Sequence, residues 1–234
     1  MSDESLIEES PTSSDWDNYW TGTRNSDAVY SAIADQYRKL VIRRSLMRAF
    51  SRHIPSGSMC LHAGAGSGEV DIALADKWNV VGLDFSWEAL GRYRTIHSQS
   101  SLIVQADNFM LPFPNSQFEC IFNLGVMEHF DLNQIYEMLI EFRRVLSPDG
   151  KLVLFWPPIY GLSVLALRTF HGLARKVKKD FSPLHPKEIS LIRSRESVRD
   201  LLGRAGFCNI SFKFELRDLF THEVVVASVP RHNG

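Results

Sequence analysis

The sequence has 234 residues, 44% of them apolar, and a net charge of −1. That is enough chain for one sizeable α/β core with room for an extra lobe, and it carries no overall positive field of the kind a nucleic-acid binder uses. No run approaches the ~18 apolar residues of a membrane-crossing helix; the first residues lack the basic-then-apolar pattern of a secretion signal; and Cys60, Cys120 and Cys208 are too scattered for a metal or disulfide framework. The expectation is a cytoplasmic protein with reduced thiols and no metal site.

In chain order, the first 23 residues hold six acids (Asp3, Glu4, Glu8, Glu9, Asp15 and Asp17) and no Lys or Arg. With its Ser and Pro content, 1–14 reads as a disordered acidic tail. One domain is expected over 15–234, opening with a helical segment (15–54). There Trp16, Tyr19 and Trp20 cluster as an anchor or as a lid. Next, Val29, Ile33, Tyr37, Leu40 and Val41 recur at helical spacing behind Ser26 as N-cap, with Tyr37 expected in the core or in a cleft wall.

After the break at Pro55–Gly57, short apolar runs follow: MCLHA (59–63), NVVGL (79–83), SLIVQA (101–106), FECIFNLG (118–125) and KLVLFW (151–156). Helical patterns separate them: GEVDIALADKW, SWEALGRYRTIHS, and 133–146 ahead of the turn SPDG. Strand–helix alternation means βαβ units and a parallel sheet. A capped helix over 194–207 then precedes two strands, NISFKFELRD and THEVVVASV, expected to be antiparallel neighbours. Between the fifth and sixth strands, 157–193 is an insertion. Its stretch 161–179 carries five basic residues, no acid and an apolar stripe. Such a segment either caps the fold with a solvated basic face, or lies on an anionic membrane or over an apolar substrate.

The chemistry sits at the strand ends. In an open parallel sheet, ligands bind at the carboxyl ends of the strands. The first strand runs into Gly64, Gly66 and Gly68, a Cβ-free turn that lets a ligand approach the backbone. The spacing is G-x-G-x-G; Glu69 takes the place of the last glycine in the dinucleotide fingerprint. An acid there disfavours a pyrophosphate at the helix start, which argues against a nicotinamide oxidoreductase. Asp84 ends the second run, twenty residues after Gly64, where a carboxylate accepts from ribose hydroxyls. Asp107 and Asn108 end the third, beside the same cleft, and can receive an adenine amine.

The pieces LHAGAGSGE, GLDFS, QADNFMLPFPNSQFECIFNLGVMEHF and RRVLSPDGKLVLFWPP resemble the class I S-adenosylmethionine-dependent methyltransferases of the type 11 group, over roughly residues 55–229. The resemblance implies a Rossmann-like open sheet of about seven strands. It would be mostly parallel with the last strand antiparallel, with helices on both faces and a small helical cap between the fifth and sixth strands. It also implies S-adenosyl-L-methionine as cofactor. The glycine turn Gly64, Ala65, Gly66 and Gly68 would lie along its methionine arm, Asp84 at the ribose, and Phe85 and Ala106 around the adenine. Asp107 and Asn108 would sit at the adenine edge, and backbone near Asn123 and Leu124 would close the methionine side. His62 departs from the family, which usually places an acid there to order the cofactor's ammonium; an imidazole accepts a hydrogen bond when neutral and repels that group when protonated.

His129, after the fourth strand, is either a general base for a hydroxyl acceptor or an orienting residue, and Glu128 lies beside it. The Asn/Asp-Pro-Pro-Tyr and Pro-Cys motifs of base-methylating relatives are absent after that strand. The acceptor is therefore expected to be a small or lipid-like molecule rather than nucleic acid, with peripheral membrane contact through 161–179 as a further option. A cofactor-binding relative without turnover remains the alternative outside enzymes. The sequence gives no oligomeric state.

Overall fold

A computed structural model describes residues 12–22, 36–97, 102–162, 188–214 and 220–231. Seven strands form its frame: β1 (Met59–Ala63), β2 (Asn79–Asp84), β3 (Leu102–Gln105), β4 (Phe118–Leu124), β5 (Leu146–Trp156), β6 (Cys208–Lys213) and β7 (Glu223–Ser228). They make one sheet in the order β3-β2-β1-β4-β5-β7-β6. The first five pair in parallel, while β7 runs antiparallel to both β5 and β6. The sheet and its antiparallel last strand match the expected architecture. The SPDG turn is a bulge inside β5: Leu146 lies opposite Phe118 and Lys151 opposite Cys120, and Asp149 between them has φ 63°.

Helices cover both faces because the central strands are apolar on both. On one face, α2 (Arg43–His53), continuing from a π-helical turn Arg38–Ile42, buries Leu46, Ala49 and Phe50 against Cys60, Phe122 and Phe155. The Phe50 ring stands edge-on to Trp78 and Phe122, with centroids 5.2 and 5.0 Å away. On the other face, α4 (Leu132–Val145) and α5 (Arg195–Arg204) bury Leu139, Phe142 and Leu202 against Leu61, Ile121 and Leu152. Asp131 starts α4 with a complete capping box to Gln134, and Ser194 caps α5 as the sequence pattern predicts. A shorter helix, α3 (Trp87–Ile96), follows β2 and is capped by the Ser86 hydroxyl.

One expected element is different. The helix anticipated over GEVDIALADKW is a single 3-10 turn, Asp71–Leu74. Asp71 is fully buried and is held by side chains of β1 and α3, so the chain is tied down at its first turn and returns directly to β2. At the front of the molecule, α1 (Ser13–Gly22) lies against α3, with Ser86 Oγ donating to Asp17 at 2.5 Å and Arg92 donating to the Trp20 carbonyl. Of the tail 1–14, only residues 12–14 are among those described; Ser26 as N-cap and residues 163–187 of the basic insertion lie outside them. No helix among the described residues is long and apolar enough to cross a membrane.

Phe50→Ala is expected to lower stability by ~3–5 kcal/mol, because a large ring is lost from a closed core. Asp131→Ala is expected to cost ~1 kcal/mol, the loss of an N-cap. Urea unfolding of both variants checks the ranking, and equal losses would contradict the account of the α2 face.

Candidate active site

The carboxyl ends of β1, β2, β3 and β4 open into a single cavity of about 970 Å³. The turn after β1 shapes its floor. Gly64, Gly66 and Gly68 have φ of 73°, 56° and 71°, a left-handed conformation that side chains resist. Space is as tight as the conformation: a Cβ on Gly66 would come within 2.9 Å of the Trp20 ring, and one on Gly68 within 2.5 Å of Tyr93. Glycine is therefore required here by backbone angle and by neighbours together.

His62, Gly64, Ala65, Gly66, Gly68, Asp84, Phe85, Ala106, Asp107, Asn108, Leu124 and His129 all line this cavity. Asn123 is the exception. Its side chain falls on the sheet face opposite Phe122 and is fully buried, with neither amide atom bonded among the described residues. The assignments at the strand tips converge because β1, β2 and β3 are adjacent and in register, Ala63 opposite Leu83 and Asp84 opposite Gln105.

Asp84 is 7% exposed. Its two oxygens accept from the backbone N–H of Gly66 at 2.8 Å and of Ser86 at 2.9 Å. Burial pushes its carboxyl above the ordinary range, and those two N–H groups pull the other way. Each carboxylate oxygen retains a lone pair beyond these bonds, so Asp84 is positioned by the glycine turn and still able to accept. Asp107 turns the chain after β3 by accepting from Phe109 N–H at 3.0 Å. Beside it, Asn108 Oδ1 is buried without a hydrogen-bond partner among the described residues.

His62 stands on β1 directly opposite Phe122 of β4, and the two rings stack at 4.3 Å. Its Nδ1 lies 2.7 Å from Asp71 Oδ2. Tyr93 donates to the same oxygen at 2.9 Å, and His97 Nε2 meets Oδ1 at 3.1 Å. Burial works against the Asp71 charge, but the two histidines outweigh it and hold its carboxyl down to about 2. Burial likewise opposes charge on His97, and Asp71 overrides it, so that imidazole is shifted upward. None of the Asp71 network was visible in the sequence; the only trace is a lone acid nine residues after His62.

At the β4 end, a 3-10 turn Met127–His129 places Glu128 and His129 in the wall, 5% and 6% exposed. Trp16 of α1 stands edge-on to His129 at 5.0 Å. Thus α1 both anchors on α3 and covers the cavity, combining the two roles anticipated for its aromatic cluster. Glu128 is sealed by the end of the insertion, where Ile189 and Ser190 N–H both donate to its backbone carbonyl. Its Oε2 has no hydrogen-bond partner among the described residues. Burial pushes its carboxyl up to about 8, with Glu188 adding to the rise.

Tyr37 is a cleft-wall residue. Its hydroxyl lies 3.2 Å from Nδ1 of His222, a half-buried histidine held down to about 4 by desolvation and therefore neutral at pH 7. His222 and Thr221 reach the cavity from the loop before β7. Sequence reasoning missed both, because no motif surrounds them and β7 lies far from the glycine turn in the chain.

Residues 61–154 match a family model described as a methyltransferase domain. A demethylmenaquinone methyltransferase of Staphylococcus carnosus is 27% identical over 208 residues, covering 81% of this chain and 83% of the relative. A Bos taurus protein named "Probable tRNA methyltransferase 9B" is 28% identical over 129 residues, 54% of this chain and 28% of that one. The crystal structure of Burkholderia thailandensis 1,6-didemethyltoxoflavin-N1-methyltransferase, with 1,6-didemethyltoxoflavin and S-adenosylhomocysteine bound, superposes at a TM-score of 0.65 and 15% identity, covering 93% of this chain and 87% of that one. With the ordered strand-end residues and the seven-stranded sheet, these matches make the chain similar to S-adenosylmethionine-dependent methyltransferases, with a methyltransferase domain matched over residues 61–154.

Proposed function

We propose that the chain methylates a small, largely apolar acceptor carrying a ring hydroxyl or an equivalent nucleophile. The observation that carries this reading is the composition of the far wall of the cavity. Beyond the strand-tip carboxylates it is built from Trp16, Tyr37, Phe130, Phe155 and the neutral His222. Such a wall suits a flat apolar molecule, and among the described residues it offers no cluster of cations for a phosphate backbone. The quinone-methylating relative aligns over most of both chains, whereas the tRNA-named relative aligns over about half of this one, which favours the same class.

In this reading the adenosine lies at the tips of β2 and β3, between Asp84, Phe85, Ala106, Asp107 and Asn108, and the amino-acid arm runs along Gly64–Gly68 toward Leu124. The cofactor supplies an electrophilic methyl on a sulfonium and leaves as a neutral thioether. What the protein adds is chiefly alignment of the acceptor with that methyl and exclusion of water. The covering helix α1, through Trp16 and Trp20, provides the exclusion. His129 is placed to take a proton from an acceptor hydroxyl. Glu128, protonated at neutral pH, is placed to donate a hydrogen bond to an acceptor oxygen rather than to carry charge.

A panel of radiolabelled transfer assays tests the acceptor class. Hydroquinones and phenols bearing apolar tails are expected to be methylated and unmodified tRNA not; the opposite pattern would refute the proposal. His129→Ala should lower kcat on a hydroxyl acceptor by ~10²-fold or more with cofactor affinity retained. Asp84→Ala should weaken S-adenosylhomocysteine by ~1–3 kcal/mol in calorimetry, and unchanged affinity would remove the ribose assignment.

Glu128 gives a pH prediction. The folded chain holds its proton up to about 8, whereas the unfolded value is 4.5. Between those values the folded state binds more protons than the unfolded state, so this group makes stability fall as pH rises through the window and level off above it. Glu128→Gln has no proton to lose. Its melting temperature relative to wild type should therefore climb across that window, and a pH-independent difference would show that Glu128 is ionised in the folded protein.

A further inference from the structure

The aromatic wall of the cavity holds a polar cluster that no sequence motif announces. His222 is half-buried and lines the cavity. Its ring lies nearly parallel to that of Tyr37 (24°, centroids 6.5 Å apart) and tilted against Phe155 at the same separation. Nδ1 lies 3.2 Å from the Tyr37 hydroxyl and 3.1 Å from Thr221 Oγ1. Both contacts use one nitrogen. Nε2 makes no bond among the described residues and is not closed off from solvent. Desolvation keeps the imidazole uncharged at neutral pH, so the cluster is a set of uncharged donors and acceptors.

An apolar residue at 222 would serve the sheet as well. Val224 and Val226, of the same parity along the chain, join Phe122, Val153 and Phe155 in the core of the α2 face. Thr221 is 4% exposed, and a buried hydroxyl carries a cost that an apolar side chain avoids. The segment is nevertheless held firmly. Phe220 has φ 48°, backbone that side chains resist. Its carbonyl accepts from Leu162 N–H at 2.9 Å, and a Cβ on Gly161 would come 3.0 Å from the Thr221 carbonyl oxygen. On the other side, the fully buried Glu223 is fixed by Tyr160 and Arg195. A strained, fixed turn that presents polar groups to a cavity has the character of a ligand clamp. Its place in the sheet sets what it meets. β5 lies between β4 and β7, so the chain at His222 enters the cavity two strand spacings, ~10 Å, from the tip of β4.

We propose that Tyr37, Thr221 and His222 form a recognition post for a second oxygen of the acceptor, a carbonyl or hydroxyl at the end remote from the methylated atom, and that this post selects ring acceptors with two oxygens over those with one. It deepens the reading of an apolar ring acceptor and rests on it, with the transferred methyl near the tip of β4. A carboxylate or phosphate is not the target: the imidazole carries no charge, and the Arg38 guanidinium of the same cavity lies 3.8 Å from Glu69, which offsets it.

Transfer is measured with two probes that differ by one oxygen: an alkyl-substituted 1,4-hydroquinone and the matching alkylphenol without the remote hydroxyl. Wild type should favour the hydroquinone in kcat/KM by about 10-fold or more. Tyr37→Phe and His222→Phe keep the rings and remove the polar atoms. Each should bring that preference to within about twofold of unity, with S-adenosylhomocysteine affinity in calorimetry serving as the check on folding. Equal turnover of the two probes by wild type overturns the post and leaves the acceptor class standing; a preference that survives in both variants does the same. A third probe, with a carboxylate in place of the remote hydroxyl, should be a poorer substrate than the hydroquinone, and a better one overturns the post. Should either variant fail to fold, the wild-type comparison and Thr221→Val decide on the same terms. If wild type methylates none of the probes, the acceptor reading itself falls and the post with it.

Discussion

The front of the site is organised around one buried charge. Asp71 lies behind the glycine turn and is bonded by His62 from β1, Tyr93 from α3 and His97 just beyond α3. Removing a carboxylate from water costs several kcal/mol, and the cost is offset only where its oxygens are fully satisfied. Here both oxygens are. The bonds also set geometry. They fix the first residue of the crossover, seat Tyr93 against Gly68 and Gly82, where a Cβ would come 2.5 and 2.8 Å from its ring, and orient the His62 imidazole. The His97 Nε2 contact to the Gly68 carbonyl at 2.8 Å ties the turn itself into the same hub.

The cavity has two chemical halves, each built by a different part of the chain. The half at the tips of β1–β3 is made of short-range turns: carboxylates, an amide and the glycine backbone, each adjoining its own strand. The other half is assembled from distant segments. Trp16 comes from α1, Tyr37 from the segment before α2, Phe130 from after β4, and Thr221 and His222 from before β7. The strand-tip half of the cavity is therefore local in sequence, and the aromatic half is not. The closing segment 188–192 bonds to Glu128 and, through the Ile192–Pro158 bridge, to the end of β5. Glu223, fully buried at the start of β7, accepts from Tyr160 and Arg195 and fixes both ends of that insertion to the sheet.

Several features were legible before any coordinates. Seven apolar runs with helical spacers dictate a mostly parallel sheet, because only crossover connections join parallel neighbours. The ends of those runs dictate where a ligand goes, because the carboxyl edge of such a sheet is where loops converge. Hence Gly64, Gly66, Gly68, Asp84, Asp107 and Asn108 were readable as one site. The helical spacing of GEVDIALADKW was misleading, since periodicity records which residues are buried and not whether a buried acid will arrest the first turn. The expectation at Asn123 concerned its backbone at the end of β4; alternation along the strand turns its side chain away from the cavity.

The sequence by itself determined the fold class, the strand-end turn and the carboxylates at the strand tips, because these depend on nearest neighbours along the chain and on strand periodicity. Only the tertiary structure decided what His62 is. A histidine in a strand has no fixed tautomer or charge until something occupies its second nitrogen. That partner, Asp71, reaches it only when the 3-10 turn folds back beneath β1, with Tyr93 and His97 closing the far side from another helix.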